Sequence, residues 1–327
     1  MARLDLGPLF KRNCLILLSL LLVVSAVLVL FIDLNKPFSN QVERQILLQL
    51  RLPTVLTAFI VGAGLAVSSA TLQVLLRNPL ADPGIIGISS GASLCAALLL
   101  LIGGGWSFAY LQYILPLFCF FGAMLSTLLI YGISRRMAVG SSAVILAGIG
   151  ISTISGAIIA WLYFFSDAQS MRNLSFWLMG SLHQADWSIL AVALPLMLLL
   201  LAYSLRQGKR LNWYYFGGST AQLAGLDIRV FNKKMLLVCA LMVGICVSIA
   251  GSIAFIGLLV PHLLRNFFGF DNRFVLPASA LLGGTLLMWV LLLSNSFGGV
   301  NVPVSMLTAS IGGPIFLYSV ARLGRRA

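Results

Sequence analysis

IAFIGLLVPHLLRN, Ile253–Asn266, is the stretch on which the fold turns. It is apolar but short, and Gly257 and Pro261 interrupt it. A helix needs about 20 apolar residues to cross hydrocarbon at a rise of 1.5 Å per residue, so hydropathy alone does not make this piece a span. The charges around it do. Nine other apolar runs stand out: Cys14–Ile32, the run after Arg51-Leu52-Pro53 to Leu76, Ile85–Ile102, Leu111–Ile133, the run after Gly140-Ser141-Ser142 to Phe165, Ser188–Leu205, Met235–Ser252, Phe274–Leu293 and Val302–Val320. With Ile253–Asn266 as the eighth of ten spans, both termini share one side. That side then carries seventeen basic residues, among them Arg77, Arg135, Arg136, Arg206, Lys209, Arg210, Lys233, Lys234 and Arg273. The other side carries only four: Lys36, Arg44, Arg51 and Arg172. Basic residues collect on the cytoplasmic side of a membrane, and an odd number of spans would scramble the bias.

Composition agrees. Hydrophobic residues make up 60% of the chain, charged residues 9%, and the mean hydropathy is +1.03. The net charge of +13 is spread over short loops, which is a topology signal rather than a nucleic-acid surface. The five cysteines, Cys14, Cys95, Cys119, Cys239 and Cys246, lie in apolar runs without a CxxC pair, so neither a metal nor a disulfide is expected. Lys11 and Arg12 precede a first run that is long and lacks a clear cleavage site, which reads as a retained span.

What is missing narrows function. The acidic residues Asp5, Asp33, Glu43, Asp82, Asp167, Asp186, Asp227 and Asp271 all fall in loops or at span ends, and so do His183 and His262. Ion-coupled carriers place such groups inside the bundle. There is no GxxxxGK[ST] phosphate loop, no arginine-bearing voltage sensor and no potassium-type filter. The chain reads as a conduit without its own engine. An ion-coupled carrier working alone, and a membrane enzyme acting on lipids, remain as competing classes. The scarcity of intramembrane His, Asp and Glu speaks against both.

GGSTAQLAGLDIRVFNKK, Gly217–Lys234, is the one long polar stretch of the second half. It predicts two short helices, the first capped by Ser219 or Thr220, broken at Gly225, the second starting at Asp227. Leu223, Leu226, Ile228 and Phe231 offer apolar anchors, and Arg229, Lys233 and Lys234 offer charge. Taken alone, the pair suits either a soluble partner or the lipid surface. The lack of an engine in this chain favours the partner. Small residues recur in the spans: Gly62-Ala63-Gly64, Gly148, Gly150, Gly283-Gly284 and Gly312-Gly313, a pattern for close helix packing in lipid. The segments Gly62–Asp82 and Gly244–Asp271 are loosely alike, a small-rich helix followed by a proline-containing break.

Several motifs coincide in order along the chain. Arg51-Leu52-Pro53, Asn78-Pro79-Leu80-Ala81-Asp82-Pro83-Gly84, Phe176-Trp177-Leu178-Met179-Gly180-Ser181-Leu182 and Phe255-Ile256-Gly257-Leu258-Leu259-Val260-Pro261-His262 together resemble the FecCD-like permeases, the membrane subunits of ABC importers for iron complexes and cobalamin. The resemblance implies an all-α polytopic membrane protein of about ten transmembrane helices with the type II ABC importer bundle. It implies one permease domain over 1–327, with a cytosolic coupling loop at 217–234 and a periplasmic segment at 166–187. The partners implied are a second copy of the chain, two cytosolic ATPase subunits and a periplasmic binding protein, with no nucleic acid. The chain itself is expected to bind no cofactor; ATP and Mg would sit on the ATPase. Localisation is expected in a bacterial inner membrane with both termini cytoplasmic.

The resemblance also assigns roles. Ser219, Thr220, Gln222, Leu223, Gly225, Leu226 and Phe231 would couple to the ATPase. Gly140, Ser141 and Ser142 would narrow the cytosolic exit, although an ordinary helix cap explains them equally. Arg51, Arg44 and Arg172 would meet carboxylates of the binding protein, with Lys36 as a further choice. Here the sequence departs from its relatives, with Thr54 in place of an arginine and Leu293-Ser294-Asn295-Ser296 where a basic position is expected. Asp167-Ala168-Gln169 through Arg172, Phe176 and Trp177 leans toward heme among the cargoes. Trp161, Tyr163, Phe164 and Phe165 either line the cargo entrance or form an interfacial belt.

Overall fold

The computed structural model describes residues 7–32, 40–102, 108–136, 142–184, 186–296 and 302–324. Fourteen helices account for most of these residues: α1 (Pro8–Phe31), α2 (Gln41–Gln45), α3 (Leu52–Leu75), α4 (Ile88–Ile102), α5 (Phe108–Ser134), α6 (Ser142–Phe164), α7 (Ala168–Leu178), α8 (Trp187–Arg206), α9 (Gly208–Tyr215), α10 (Gly218–Leu223), α11 (Ile228–Ala250), α12 (Ile256–Phe268), α13 (Asn272–Asn295) and α14 (Val304–Gly324). Among the described residues there is no strand. Seven helices are long and apolar enough to cross a membrane, and Ile88–Ile102, Ile256–Phe268 and Val304–Ser319 are shorter apolar helices. Ile253–Asn266, on which the reading turned, is one of the short ones.

The bundle is built around α3. Its membrane window is 89% buried, against 11% for α1 at the periphery. α13, α11, α12, α8 and α1 pack around it. Small residues make this possible. A methyl group added to Gly62 would land on the carbonyl oxygen of Gly283, and one added to Gly283 would land on that of Gly62, so α3 and α13 touch backbone to backbone. Helices in lipid associate through such close packing, because lipid tails are as apolar as the side chains.

Four expectations are corrected. The polar external loop before span two is largely helical: α2 and a π-helical stretch, Ile46–Arg51, run straight into α3. Asn40 caps the start by accepting from the Val42 N–H at 3.0 Å, and Leu47 is buried. Asp82 lies in a turn, as read, but that turn folds back into the bundle. Its Oδ1 accepts from the Ser69 hydroxyl at 3.1 Å, Oδ2 accepts from the Gly84 N–H at 3.0 Å, and a Cβ on Gly257 would collide with its carboxylate. The protein thus holds a carboxylate at the first turn of α12, where a helix N-terminus favours negative charge. His262, read near a span end, lies in the middle of α12, and both it and Arg265, which was counted among the basic residues of the inner side, are buried there. The fourth correction, to the coupling stretch, belongs to the site.

Candidate functional site: the coupling surface at the basic end

The chain leaves α8 at Arg206 and enters α9, a helix the sequence reading did not separate. Gly208, Leu211 and Tyr214 are its buried positions. The Tyr214 hydroxyl donates to the Leu75 carbonyl at 3.4 Å and accepts from Asn232 Nδ2 at 3.1 Å. The Arg77 guanidinium lies 5.6 Å from its ring centre, and the Phe231 ring 6.3 Å. Tyr214 therefore pins the segment to the end of α3.

α10 follows. Its start is not capped by Ser219 or Thr220; Gly217 precedes it and no side chain caps it. Ala221 points inward, while Ser219, Thr220, Gln222 and Leu223 are exposed, Leu223 at 90%. Among the described residues no large apolar side chain is more exposed than Leu223. Gly225, at φ 82°, reverses the chain in a conformation that disfavours side chains. Asp227 then caps α11 as expected, accepting from the N–H groups of Arg229 at 2.9 Å and Val230 at 3.1 Å. The second helix is not short, however. α11 runs unbroken from Ile228 to Ala250, because no helix breaker separates Ile228 from the apolar run. Leu226 is half-buried, and Phe231 is only 5% exposed, packed inward on Tyr214. Val230, not among the residues expected to couple, is exposed beside them.

A polar network carries this surface into the core. Asn212 Nδ2 donates to Asp271 Oδ1 at 2.7 Å, and Asn212 Oδ1 accepts from both N–H and Nδ2 of Asn272 at 2.8 Å. Arg265 Nη2 donates to Asn272 Oδ1 at 3.1 Å and to the Ala70 carbonyl of α3 at 2.9 Å, while Nε donates to Gln73 Oε1 at 3.3 Å. Asn212 of α9 is thereby joined by hydrogen bonds, through Asn272 and Arg265, to α13, α12 and α3. Asp271 also meets Arg273 at 3.0 Å and Lys11 at 3.7 Å. Partial burial would raise its pKa, but the hydrogen bonds from Arg273 and Asn212 outweigh this and pull it down to about 2. A carboxylate depressed below its unfolded value of about 3.9 contributes stability above that value and loses it as pH falls toward 2. Hydrogen exchange over residues 208–216 is therefore expected to be flat between about pH 5 and 8, after correction for intrinsic rates, and to accelerate only below about pH 4.

The other assigned residues sit apart from this surface. Gly140 and Ser141 lie outside the described residues; Ser142 is the exposed first residue of α6. Further along α6, Leu146, Ile149, Gly150, Thr153 and Ile154 are exposed, and nothing lies within 4 Å of a Cβ placed on Gly150. At its far end, Trp161 stacks on Phe165 at 6.1 Å with Phe164 edge-on, while Tyr163 turns inward to Ser175. Arg44 and Arg172 are exposed, but Arg51 is engaged. Its guanidinium donates to the carbonyls of Leu30 at 3.1 Å and of Ile32, and so caps the end of α1. Arg51→Ala is expected to lower stability by about 1–3 kcal/mol, the cost of charged hydrogen bonds lost at a helix C-terminus, read as a drop in thermal midpoint.

Comparison with known proteins follows the same outline. The sequence model described as the FecCD transport family matches residues 13–322. The vitamin B12 import system permease protein BtuC of Vibrio vulnificus is 38% identical over 326 residues, covering 96% of this chain and 95% of that protein. The hemin transport system permease protein HmuU of Yersinia pestis is 39% identical over 285 residues, covering 87% and 85%. A solved chain described as an inward-facing conformation of a metal-chelate type ABC transporter superposes with a TM-score of 0.86 at 32% identity, covering 95% of this chain and 99% of that one.

Proposed function

The chain belongs to the FecCD transport family, and from that premise we propose that it works as one half of a homodimeric gate that passes a preassembled iron complex, heme or a ferric siderophore, through the inner membrane. It is an ABC importer permease and a membrane protein of many spans. In the proposed assembly the basic end faces the cytosol with both termini, two ATPase subunits grip α10 and the start of α11, and a periplasmic binding protein delivers cargo at the opposite end. The observation that carries the coupling role is Leu223, 90% exposed on a segment wired to α3 through Tyr214 and Asn212. Arg44 and Arg172 are the docking residues for the binding protein, since Arg51 is committed to α1. Exposed pairs of this kind are each worth about 0–1 kcal/mol, so they act through steering.

The hemin permease among the relatives and the Asp167–Trp177 segment support an iron complex as cargo. A second reading, cobalamin, is favoured by the identity to vitamin B12 permeases over nearly the whole chain. Uptake of radiolabelled hemin and of radiolabelled cyanocobalamin, measured in proteoliposomes holding the permease with its ATPase and binding protein, separates the two. Saturable hemin uptake unaffected by excess cyanocobalamin supports the first; the reverse pattern replaces it with the second.

A further inference from the structure

Hydroxyl groups in the spans tend to bond within their own helix. Those of Ser25, Thr57, Thr127 and Thr285 each donate to the carbonyl four residues back, at 2.7–2.8 Å. A hydroxyl turned this way needs nothing from outside. Six serines depart from the pattern together. Ser89, Ser90 and Ser93 of α4, Ser152 and Ser155 of α6, and Ser252 beyond the end of α11 line one recess of about 200 Å³. Ser90 donates to Ser152 Oγ at 2.9 Å. The hydroxyls of Ser89, Ser93, Ser155 and Ser252 bond to no described residue. Ser155 is only 3% exposed, yet its oxygen reaches the open space of the recess, unlike the sealed hydroxyls of Thr71 and Ser279. Burying hydroxyls without partners is costly, so the recess calls for a polar occupant.

The recess lies at membrane depth. α4 has 15 residues and α12 has 13, about 20 Å each against about 30 Å of hydrocarbon, so neither crosses alone. Their first residues, Ile88 and Ile256, are 1% and 3% exposed, inside the bundle. The chain reaches α12 through the non-helical residues 251–255, with Gly251 at φ 70° and Phe255 at φ 69°. Non-helical backbone at such depth persists only where protein encloses it or water reaches it. Ser252 belongs to this passage; its carbonyl accepts from the Ser305 hydroxyl, and its side chain lines the recess. Gly84 and Gly156 stand at the rim and are exposed, so the recess is open there. Among the described residues no charged side chain lines it, and Ile159 is its one large apolar group. That lining matches neither an ion nor an acyl chain. A hydroxyl both donates and accepts, and so does water.

We propose that the recess between α4 and α6 holds a cluster of water molecules, which hydrogen-bond its serine hydroxyls and hydrate the break between α11 and α12. There is room for several, at roughly 30 Å³ each in the liquid. The occupant follows from the hydroxyl lining, its neutrality and the open rim, and it is independent of which cargo the protein carries.

The test uses X-ray radiolysis, which makes hydroxyl radicals from water where it stands and oxidises the side chains beside it. The full chain is held in nanodiscs of palmitoyl-oleoyl phosphatidylglycerol and read residue by residue by mass spectrometry. Ser155→Cys exchanges one oxygen for sulfur and puts a thiol in the recess. Cys239 and Cys246, 0% and 1% exposed, serve as standards of equal burial in the same molecule. The introduced thiol is expected to oxidise about tenfold faster than either, because apolar surroundings stay dry. Ser252→Cys, at the break, is expected to behave in the same way. The wild type gives a reading that needs no substitution to fold. Ile159 is expected to oxidise about fivefold faster than Leu128, which is 58% exposed on the apolar face that α5 presents with Leu117, Phe121 and Leu125. Oxidation of Ile159 no faster than that of Leu128 overturns the proposal, since the recess is then dry or filled by lipid or by a second copy. An introduced thiol at either position as slow as Cys239 and Cys246 overturns it too.

Discussion

Leu223→Asp is expected to abolish ATP-driven uptake while leaving the protein folded. Leu223 is 90% exposed, touches little of its own chain, and sits on a six-residue helix. Replacing it with a carboxylate removes no internal contact. Against a partner groove, the same change loses an apolar anchor and buries an unpaired charge. Anchors of that kind are worth 2 kcal/mol or more, about 30-fold in affinity. Co-purification of the ATPase and cargo-stimulated ATP hydrolysis are expected to fall at least tenfold, with the thermal midpoint of the permease unchanged. Phe231→Asp, by contrast, places a charge in a buried site against Tyr214 and is expected to lower the midpoint sharply. An equal effect of the two substitutions on stability, or no effect of Leu223→Asp on association, would remove Leu223 from the coupling surface.

The larger structural effect is expected at Gly62. The shortest side chain added there strikes the Gly283 carbonyl across the α3–α13 contact, and neither backbone has room to retreat because α3 is enclosed on all sides. Gly62→Leu is expected to cost more than about 3 kcal/mol, at the severe end for overpacking. The measurement is recovery of monodisperse protein by fluorescence-detected size exclusion, with near-complete loss expected. Gly150→Ala is the control: it lies on an exposed face of α6 with nothing within 4 Å, so recovery is expected to match the wild type. Failure of both or tolerance of both would show that close α3–α13 packing is not what holds the bundle.

The span architecture was legible because hydropathy and loop charge are properties of composition, and composition survives without knowledge of contacts. Ile253–Asn266 emerges as α12 although its own hydropathy is weak, since the charges on either side required a crossing. What escaped depends on direction. Phe231 and Leu223 are both apolar residues in a polar stretch, yet one faces Tyr214 and the other solvent, and only the packing of α9 against α11 decides which. Arg51 is a basic residue near a span end, like Arg44, but the free carbonyls at the end of α1 claim it. Asp82 sits in a proline-rich turn that looks solvent-exposed until Ser69 and the start of α12 fold over it. The early start of span two had one signal that could have been used, Asn40 as a cap three residues before Glu43, followed by Ile46, Leu47 and Leu48. The Arg265–Asn272–Asn212 chain had none, because its members come from three separate segments.

This polypeptide is expected to move cargo only when an ATPase works on the segment from α10 to the start of α11. Proteoliposomes containing the permease, its ATPase and its binding protein are expected to accumulate labelled cargo above the external concentration with ATP, and to show no accumulation without the ATPase under a proton or sodium gradient. Accumulation by the permease alone, driven by either gradient, would contradict the account.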